Sequence, residues 1–122
     1  VHKKLDGVDM AVLHNLMRNP IDGESIEFND NRLSLYSAQK GKCAVTGKQM
    51  EADEVICIKK IPKEQGGTDK YSNLLLVCRK IQELLNVKDI KTFSEEMDKL
   101  NLDKKQSDKL LKLRSLAFVE SR

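Results

Sequence analysis

Tryptophan is absent from this 122-residue chain, and aromatic residues together make up only 4% of it. The few rings, Phe28, Tyr36, Tyr71, Phe93 and Phe118, are scattered along the sequence. Proteins that bind single-stranded RNA by stacking use an array of such rings, so the sequence does not indicate that class. With 39% apolar and 34% charged residues, the length predicts one polar domain with a modest core, or such a domain with a helical appendage.

Long apolar runs are also missing. The longest, at 74–78, is far too short to cross a bilayer, so no membrane partner is expected. The first residues do not resemble a signal peptide. Three cysteines, Cys43, Cys57 and Cys78, cannot all pair, and such sparse cysteine is typical of a reducing compartment. These features predict a cytoplasmic protein with buried free thiols.

Histidine is equally scarce, since the chain has only His2 and His14. A structural zinc site needs four ligands, and three cysteines with one histidine could supply four on paper, but their spacing is irregular. No Ser-His-Asp or Cys-His nucleophile can be assembled from the sequence. We therefore predict no metal site, no cofactor and no catalytic residue.

Positive charge is in slight excess, with a net charge of +3 and a pI of about 8.7. Lysine can neutralise phosphates without reading bases, so the basic residues of the central region are candidates for nucleic-acid contact, which this charge allows but does not require. A solvated surface of mixed charge is the alternative interpretation. The predicted set comprises Arg32, Lys40, Lys42, Lys59, Lys60, Lys63, Arg79 and Lys80.

Apolar spacing near 3.6 residues and capping residues predict five helices. The first covers 8–18 with Asp9 as its cap, and the second runs from Asn29 or Asp30 to about Lys40. The others cover 79–86, 88–99 and 104–118, and the last has a capping box at Asp103 and Gln106.

Extended structure is predicted in three places. Residues 25–28 are expected to form a short extended piece, and alternation at 43–46 and 54–58 predicts a two-stranded hairpin. The apolar run at 74–77 is expected to lead into the helix at 79–86. Between the strand predicted at 54–58 and the apolar run at 74–77, residues 62–72 are predicted to form a long irregular loop, and loops of that length are often functional.

Several stretches carry a resemblance to a known family: DNRLSLY at 30–36, AQKGKCAVTG at 38–47, GGTDKYSNL at 66–74 and the tail at 110–116. They resemble the HNH endonuclease domain at the C-terminal end of bacterial group II intron reverse transcriptase/maturases, over nearly the whole chain. The resemblance implies an α+β fold, with a degenerate ββα-metal (HNH) core and flanking helices at both ends. The implied parts are a helical lead-in at 1–40, the degenerate HNH domain at 41–87 and a C-terminal helical pair at 88–122.

The same resemblance assigns five positions to the former active site: Ile58, Lys59, Asn73, Gln82 and Asn86. The family has histidines at all of them except Asn73. A general base for hydrolysis needs a pKa near neutrality, which histidine has, whereas a lysine ammonium is protonated near pH 7. Isoleucine offers no lone pair, and amide oxygens are weaker ligands than imidazole for a transition metal. These vestigial positions predict that nuclease chemistry has been lost.

We therefore expect a non-catalytic domain that binds duplex DNA, mostly through phosphates, with Lys59 where the scissile phosphate would lie. The resemblance implies intron RNA and the rest of a parent RNA-directed DNA polymerase as further partners. One alternative is a divergent metal-dependent HNH endonuclease that recruits Mg²⁺ through Asp69, Gln82 and Asn86. Another is a protein-interaction module with an exposed apolar patch on the last two helices.

Overall fold

The computed structural model describes residues 4–5 and 8–117. Within them the chain has an α+β fold, as the resemblance implied, with five α-helices and two small two-stranded antiparallel sheets, one of which joins distant segments. The helices are α1 (Met10–Arg18), α2 (Ile26–Ala38), α3 (Arg79–Leu85), α4 (Ile90–Asp98) and α5 (Lys104–Ala117). The strands are β1 (Lys4–Leu5), β2 (Val8–Asp9), β3 (Val55–Lys59) and β4 (Leu74–Cys78).

The central sheet pairs β3 with β4, from Val55 opposite Cys78 to Lys59 opposite Leu74. The predicted hairpin between 43–46 and 54–58 is therefore wrong. Residues 43–46 lie in a turn, and only a single bridge, between Lys42 and Gln49, flanks it. The apolar run of β4 is the better partner for β3, because three of its five residues are buried.

The helix predicted at 8–18 is confirmed as α1, although it begins only at Met10 because Val8 and Asp9 form β2. Its cap is the predicted residue. Asp9 Oδ1 accepts hydrogen bonds from the backbone N–H groups of Ala11 at 3.0 Å and Val12 at 3.3 Å. Two of the N–H groups that a helix start leaves unpaired are thereby satisfied.

The second helix begins earlier than predicted, so the extended piece expected at 25–28 is wrong. Ser25 Oγ accepts a hydrogen bond from Phe28 N at 3.0 Å and caps α2 in place of Asn29 or Asp30. Asn29 instead accepts from Ile21 N at 2.7 Å and holds the preceding turn. After Ala38 the helix ends where Lys40 and Gly41 both take positive φ.

The three C-terminal helices lie close to their predicted ranges. Asp103 and Gln106 form the predicted reciprocal cap of α5, with Asp103 N donating to Gln106 Oε1 at 3.0 Å and Gln106 N donating to Asp103 Oδ1 at 2.8 Å. Asp89 caps α4 by accepting from Thr92 N at 2.9 Å. Neither cap depends on contacts with distant segments.

The three predicted parts of the chain, 1–40, 41–87 and 88–122, all contribute buried apolar side chains to one cluster. Phe28 of α2, Leu76 of β4, Phe93 of α4 and Leu110 of α5 are among its members. Helix α3 contributes Ile81, Leu84 and Leu85 to this cluster. Among the described helices, none combines the length and apolar character that crossing a membrane requires.

Candidate functional site

The candidate site is built on one unit of chain, in which β3, a long loop, β4 and α3 follow each other without interruption. Ile58 and Lys59 are the last two residues of β3, so their side chains point to opposite faces of the sheet. Gln82 lies on α3 and Asn86 caps its C-terminal end. The fold thus brings segments 58–59 and 82–86 together from opposite ends of this unit.

Four of the five vestigial positions meet at one cavity of about 300 Å³. Its walls include Ile58, Lys59, Gln82 and Asn86, and Leu113 of α5 closes one side. Asn73 is not among the lining residues. The polar residues of the lining include Gln82, Asn86, Glu64 and Lys60, and none of the lining residues that the structure describes is a histidine.

Asn73 organises the loop instead. Its Oδ1 accepts a hydrogen bond from Ile61 N at 2.9 Å, and its Nδ2 donates to the carbonyls of Ile61 at 3.1 Å and Thr68 at 2.8 Å. Lys60 N also donates to the Asn73 carbonyl at 2.7 Å. The side chain therefore ties the two ends of the loop together through backbone groups, which is what an asparagine can do without a metal ion.

Two adjacent glycines let the loop fold back on itself, for different reasons. Gly66 has φ +90°, which favours glycine, and open space surrounds the position where a Cβ would lie. At Gly67 a Cβ would lie 1.6 Å from the Ile61 carbonyl oxygen, so no side chain fits there. The second glycine is thus required by close packing within the loop.

Lys59 is enclosed by acidic and aromatic side chains. Its Nζ lies 3.1 Å from Glu24 Oε1 and 3.5 Å from Asp69 Oδ1, and it sits 4.8 Å from the centre of the Phe28 ring. Its side chain is 19% exposed. Two carboxylates neutralise the ammonium, so the expectation that Lys59 presents a positive charge to a phosphate does not fit this environment.

The pKa values of these groups follow from their contacts. Burial opposes the charged form of Lys59, but the hydrogen bond to Glu24 and the charges of Glu24 and Asp69 outweigh it and raise the lysine pKa. The hydrogen bond from Ser25, 2.6 Å long, and the charge of Lys59 lower the pKa of Asp69. At neutral pH the ion pair is therefore fully charged, and Lys59 cannot accept a proton.

Asp69 does not reach the cavity of Gln82 and Asn86. It lines a separate cavity of about 520 Å³ with Glu24 and Lys59, and its backbone oxygen accepts a hydrogen bond from Asn31 Nδ2 at 2.9 Å. The oxygen ligands proposed for a divergent nuclease are therefore divided between two cavities. Throughout the described part of the chain, no group of three His, Cys, Asp or Glu side chains has the arrangement of a metal site.

The predicted nucleic-acid-binding set is not one surface. Arg32 is only 4% exposed, and its guanidinium donates to the carbonyls of Leu16 and Asn19, each at 3.3 Å. Arg32 binds the C-terminal end of α1 from inside the fold. Its predicted assignment to a phosphate-binding surface is therefore wrong, because the side chain is buried.

The other basic positions are more accessible but differ in their contacts. Arg79 donates to the Asp53 carbonyl at 2.8 Å, and Lys80 lies 3.7 Å from Glu96. Lys40, Lys42 and Lys63 are exposed, and Lys60 is half-buried. No carboxylate of the described residues forms an ion pair with these four lysines.

The strongest concentration of positive charge lies on α5, none of whose basic residues belongs to the predicted nucleic-acid-binding set. This helix carries five of the chain's 22 basic residues and one of its 19 acidic residues. Without α5, acidic residues would slightly outnumber basic ones. A count of charge per predicted helix would have revealed it.

The three cysteines are free thiols, as predicted, but only one of them is fully buried. Cys43 is buried, whereas Cys57 and Cys78 are half-buried. Cys43 Sγ accepts hydrogen bonds from the backbone N–H groups of Thr46 at 3.5 Å and Cys78 at 3.4 Å. These bonds connect the 43–47 turn with the end of β4.

Comparison with known proteins does not assign this site. No family model matches the sequence, no curated protein matches it, and no solved structure matches the fold.

Proposed function

We propose that this chain is a non-catalytic nucleic-acid-binding domain from the C-terminal end of a group II intron-like reverse transcriptase/maturase, with a degenerate HNH motif. The observation that carries the proposal is the environment of Lys59. An ammonium held between Glu24 and Asp69 occupies the position that the resemblance assigns to the hydrolytic histidine. The order of β3, loop, β4 and α3 supports the same origin.

The loss of catalysis follows from proton chemistry. Phosphodiester hydrolysis needs a group that takes a proton from water near neutral pH. The raised pKa of Lys59 keeps that group protonated, and Ile58, Gln82 and Asn86 have no basic nitrogen. Retention of the scaffold is supported by Asn73, which closes the loop through hydrogen bonds to backbone groups.

Duplex DNA is the proposed partner, and intron RNA and the parent polymerase would be further partners in a longer chain. Exposed lysines favour phosphate contacts, which hold a duplex without reading its sequence. Binding of this kind weakens steeply as salt rises, because each neutralised phosphate releases counterions.

A gel-shift titration tests the proposal. A duplex of about 20 base pairs is titrated with the domain at several concentrations of NaCl between 50 and 200 mM, beside a single strand of the same sequence. We expect duplex binding whose logarithmic affinity falls linearly with the logarithm of the salt concentration. Absence of a shift at 50 mM, or a shift that ignores ionic strength, would contradict the proposal.

One observation favours a second function, that of a protein-interaction module. Ile90 on α4 and Leu111 on α5 are 58% and 43% exposed, on the two helices for which an apolar patch was expected. The substitution pair Ile90→Ser and Leu111→Ser distinguishes the functions. It leaves DNA affinity unchanged if the domain binds nucleic acid, and abolishes association with the parent polypeptide if these side chains form an interface.

A further inference from the structure

We propose that duplex DNA is held on a surface formed by Lys105, Lys109 and Lys112 of α5 together with Lys60, which follows β3. This deepens the proposed function and depends on it, since it specifies where the DNA backbone lies. None of the three α5 lysines belongs to the set predicted from the sequence. We call these four residues the α5 lysine surface.

The spacing of the three helical lysines places them on one side of α5. At 3.6 residues per turn, positions 105, 109 and 112 fall within about 60° of each other around the helix axis. Their Cα atoms span about 10 Å along that axis. A row of this length can meet about three successive phosphates of one strand, which follow each other about every 3.4 Å along the duplex axis.

The row faces two adjoining grooves. Lys109 and Lys112 line one of about 420 Å³ together with Lys60, and Leu75 of β4 contributes to its floor. Lys105 and Lys109 line the next, of about 510 Å³, against the turn that contains Gly47. Since Lys109 belongs to both, the grooves adjoin along one side of α5.

A hydrogen bond fixes the helix against this turn. Gln106 Nε2 donates to the Thr46 carbonyl at 3.1 Å, while Gln106 Oε1 accepts from Asp103 N in the helix cap. The same side chain thus anchors the start of α5 at two points. The lysines are therefore presented on a positioned helix, which reduces the ordering cost of binding.

Two carboxylates line the grooves, Asp108 the one of about 420 Å³ and Asp103 the one of about 510 Å³, and each has a contact of its own. Asp103 Oδ1 accepts from Gln106 N, and Asp108 lies 3.7 Å from Lys104. Among residues 8–117, no carboxylate forms an ion pair with Lys60, Lys105, Lys109 or Lys112. Their charges are thus available to an anion, in contrast to that of Lys59.

The chemistry of the surface favours a duplex backbone. Ammonium groups act as point charges toward phosphate, and among the described residues that line the grooves there is no aromatic ring on which an unpaired base could stack. A rigid duplex also presents its phosphates in a row, and the lysines of α5 form a row as well. The surface is therefore suited to contacts with the backbone and not to base recognition.

The test compares two triple variants with the same loss of charge. The first is Lys105→Gln, Lys109→Gln and Lys112→Gln. The matched control is Lys70→Gln, Lys88→Gln and Lys91→Gln, which are exposed lysines outside both the predicted set and the α5 lysine surface. Fluorescence anisotropy measures the Kd of a 20-base-pair duplex between 50 and 200 mM NaCl. Circular dichroism melting verifies that both variants fold.

We expect the α5 variant to bind at least about tenfold more weakly, and its salt slope to fall by about 2 to 3, since each lost phosphate contact removes about 0.9. The control should change Kd by less than about threefold. An equal or larger loss in the control would overturn the α5 lysine surface while leaving the proposed function standing. If the unsubstituted domain does not bind the duplex, or prefers the single strand, the proposed function fails as well.

Discussion

Lys59 Nζ lies 3.1 Å from Glu24 Oε1, and this ion pair joins the end of β3 to the segment just before α2. The partners are 35 residues apart in the sequence. Asp69 of the glycine loop completes the arrangement from the other side, at 3.5 Å. The residue expected to meet DNA therefore serves as a cross-link between three segments, and the first prediction follows from this role.

Replacing Lys59 by methionine should lower the free energy of unfolding by about 1 kcal/mol, because it removes the ion pair and the contact with the Phe28 ring. Urea unfolding measures the change. Lys63→Met is the matched control, since Lys63 lines the same cavity but is exposed. DNA affinity should be the same for Lys59→Met as for the unsubstituted domain, and a tenfold loss of affinity would show that Lys59 contacts DNA after all.

The contribution of Lys59 should depend on pH in a defined way. Because its pKa is raised in the folded state, its stabilising effect is complete below the unfolded value of about 10.4 and is lost as pH rises through the folded value. The lowered pKa of Asp69 stabilises above the unfolded value of about 3.9, and this effect is lost as pH falls through the folded value.

The difference in unfolding free energy between the unsubstituted domain and Lys59→Met should therefore be constant from about pH 5 to pH 9 and shrink on both sides. Urea unfolding at a series of pH values measures it. A change centred near pH 7 would mean that the ammonium is not paired with carboxylates.

The two loop glycines should respond differently to alanine. Gly66→Ala imposes a left-handed backbone on alanine but meets open space, which predicts a loss of about 1 kcal/mol. Gly67→Ala must displace the Ile61 carbonyl and should cost more. Gly23→Ala, also at positive φ in open space, is the control. Equal losses at all three positions would contradict the packing of the loop.

Arg32 should be needed for folding and not for binding. Arg32→Met leaves the carbonyls of Leu16 and Asn19 without their side-chain donor, so the free energy of unfolding should fall by about 1 to 3 kcal/mol. DNA affinity, measured where the variant remains folded, should be unchanged. A weaker salt dependence of DNA binding in this variant would show that Arg32 contacts a phosphate and would contradict its assignment to the interior.

The reactivity of Cys57 tests whether its thiol, on β3, is buried. Burial raises the pKa of Cys57 to about 12, despite the opposing charges of Arg32 and Lys59. In a variant that keeps only this cysteine, alkylation should rise about tenfold per pH unit from pH 7 to pH 10 without reaching a plateau, because the thiolate is the reacting species. A plateau near pH 8.5 would indicate an exposed thiol.

The sequence predicted those elements whose signals are local. Asp9 and the pair Asp103 and Gln106 cap helices within three residues of their partners, so their spacing is visible without the fold. The helix at 79–86 was likewise found from its apolar spacing. Ser25 was missed because serine, aspartate and asparagine all cap helices, and Asn29 and Asp30 competed for the same assignment.

Contacts between distant segments could not be predicted in this way. The alternation at 54–58 is equally compatible with pairing to a near segment or to β4, and only burial of the apolar run selects β4. The partners of Arg32 and Lys59 could not be predicted either, because in the sequence both residues look like surface charges that could bind a phosphate. Their partners come from other elements, and a basic residue with internal partners is indistinguishable in sequence from one that faces solvent.

The central claim is that the site around Lys59 holds its shape without cutting DNA. Supercoiled plasmid incubated with the domain in Mg²⁺, Mn²⁺ or Ni²⁺ tests this most directly, with a dilute metal-dependent nuclease in the same buffers to establish sensitivity. The account predicts that the plasmid remains supercoiled in all three ions while the domain shifts its mobility at low salt. Nicked plasmid that depends on the added ion, and disappears in Gln82→Ala with Asn86→Ala, would contradict it.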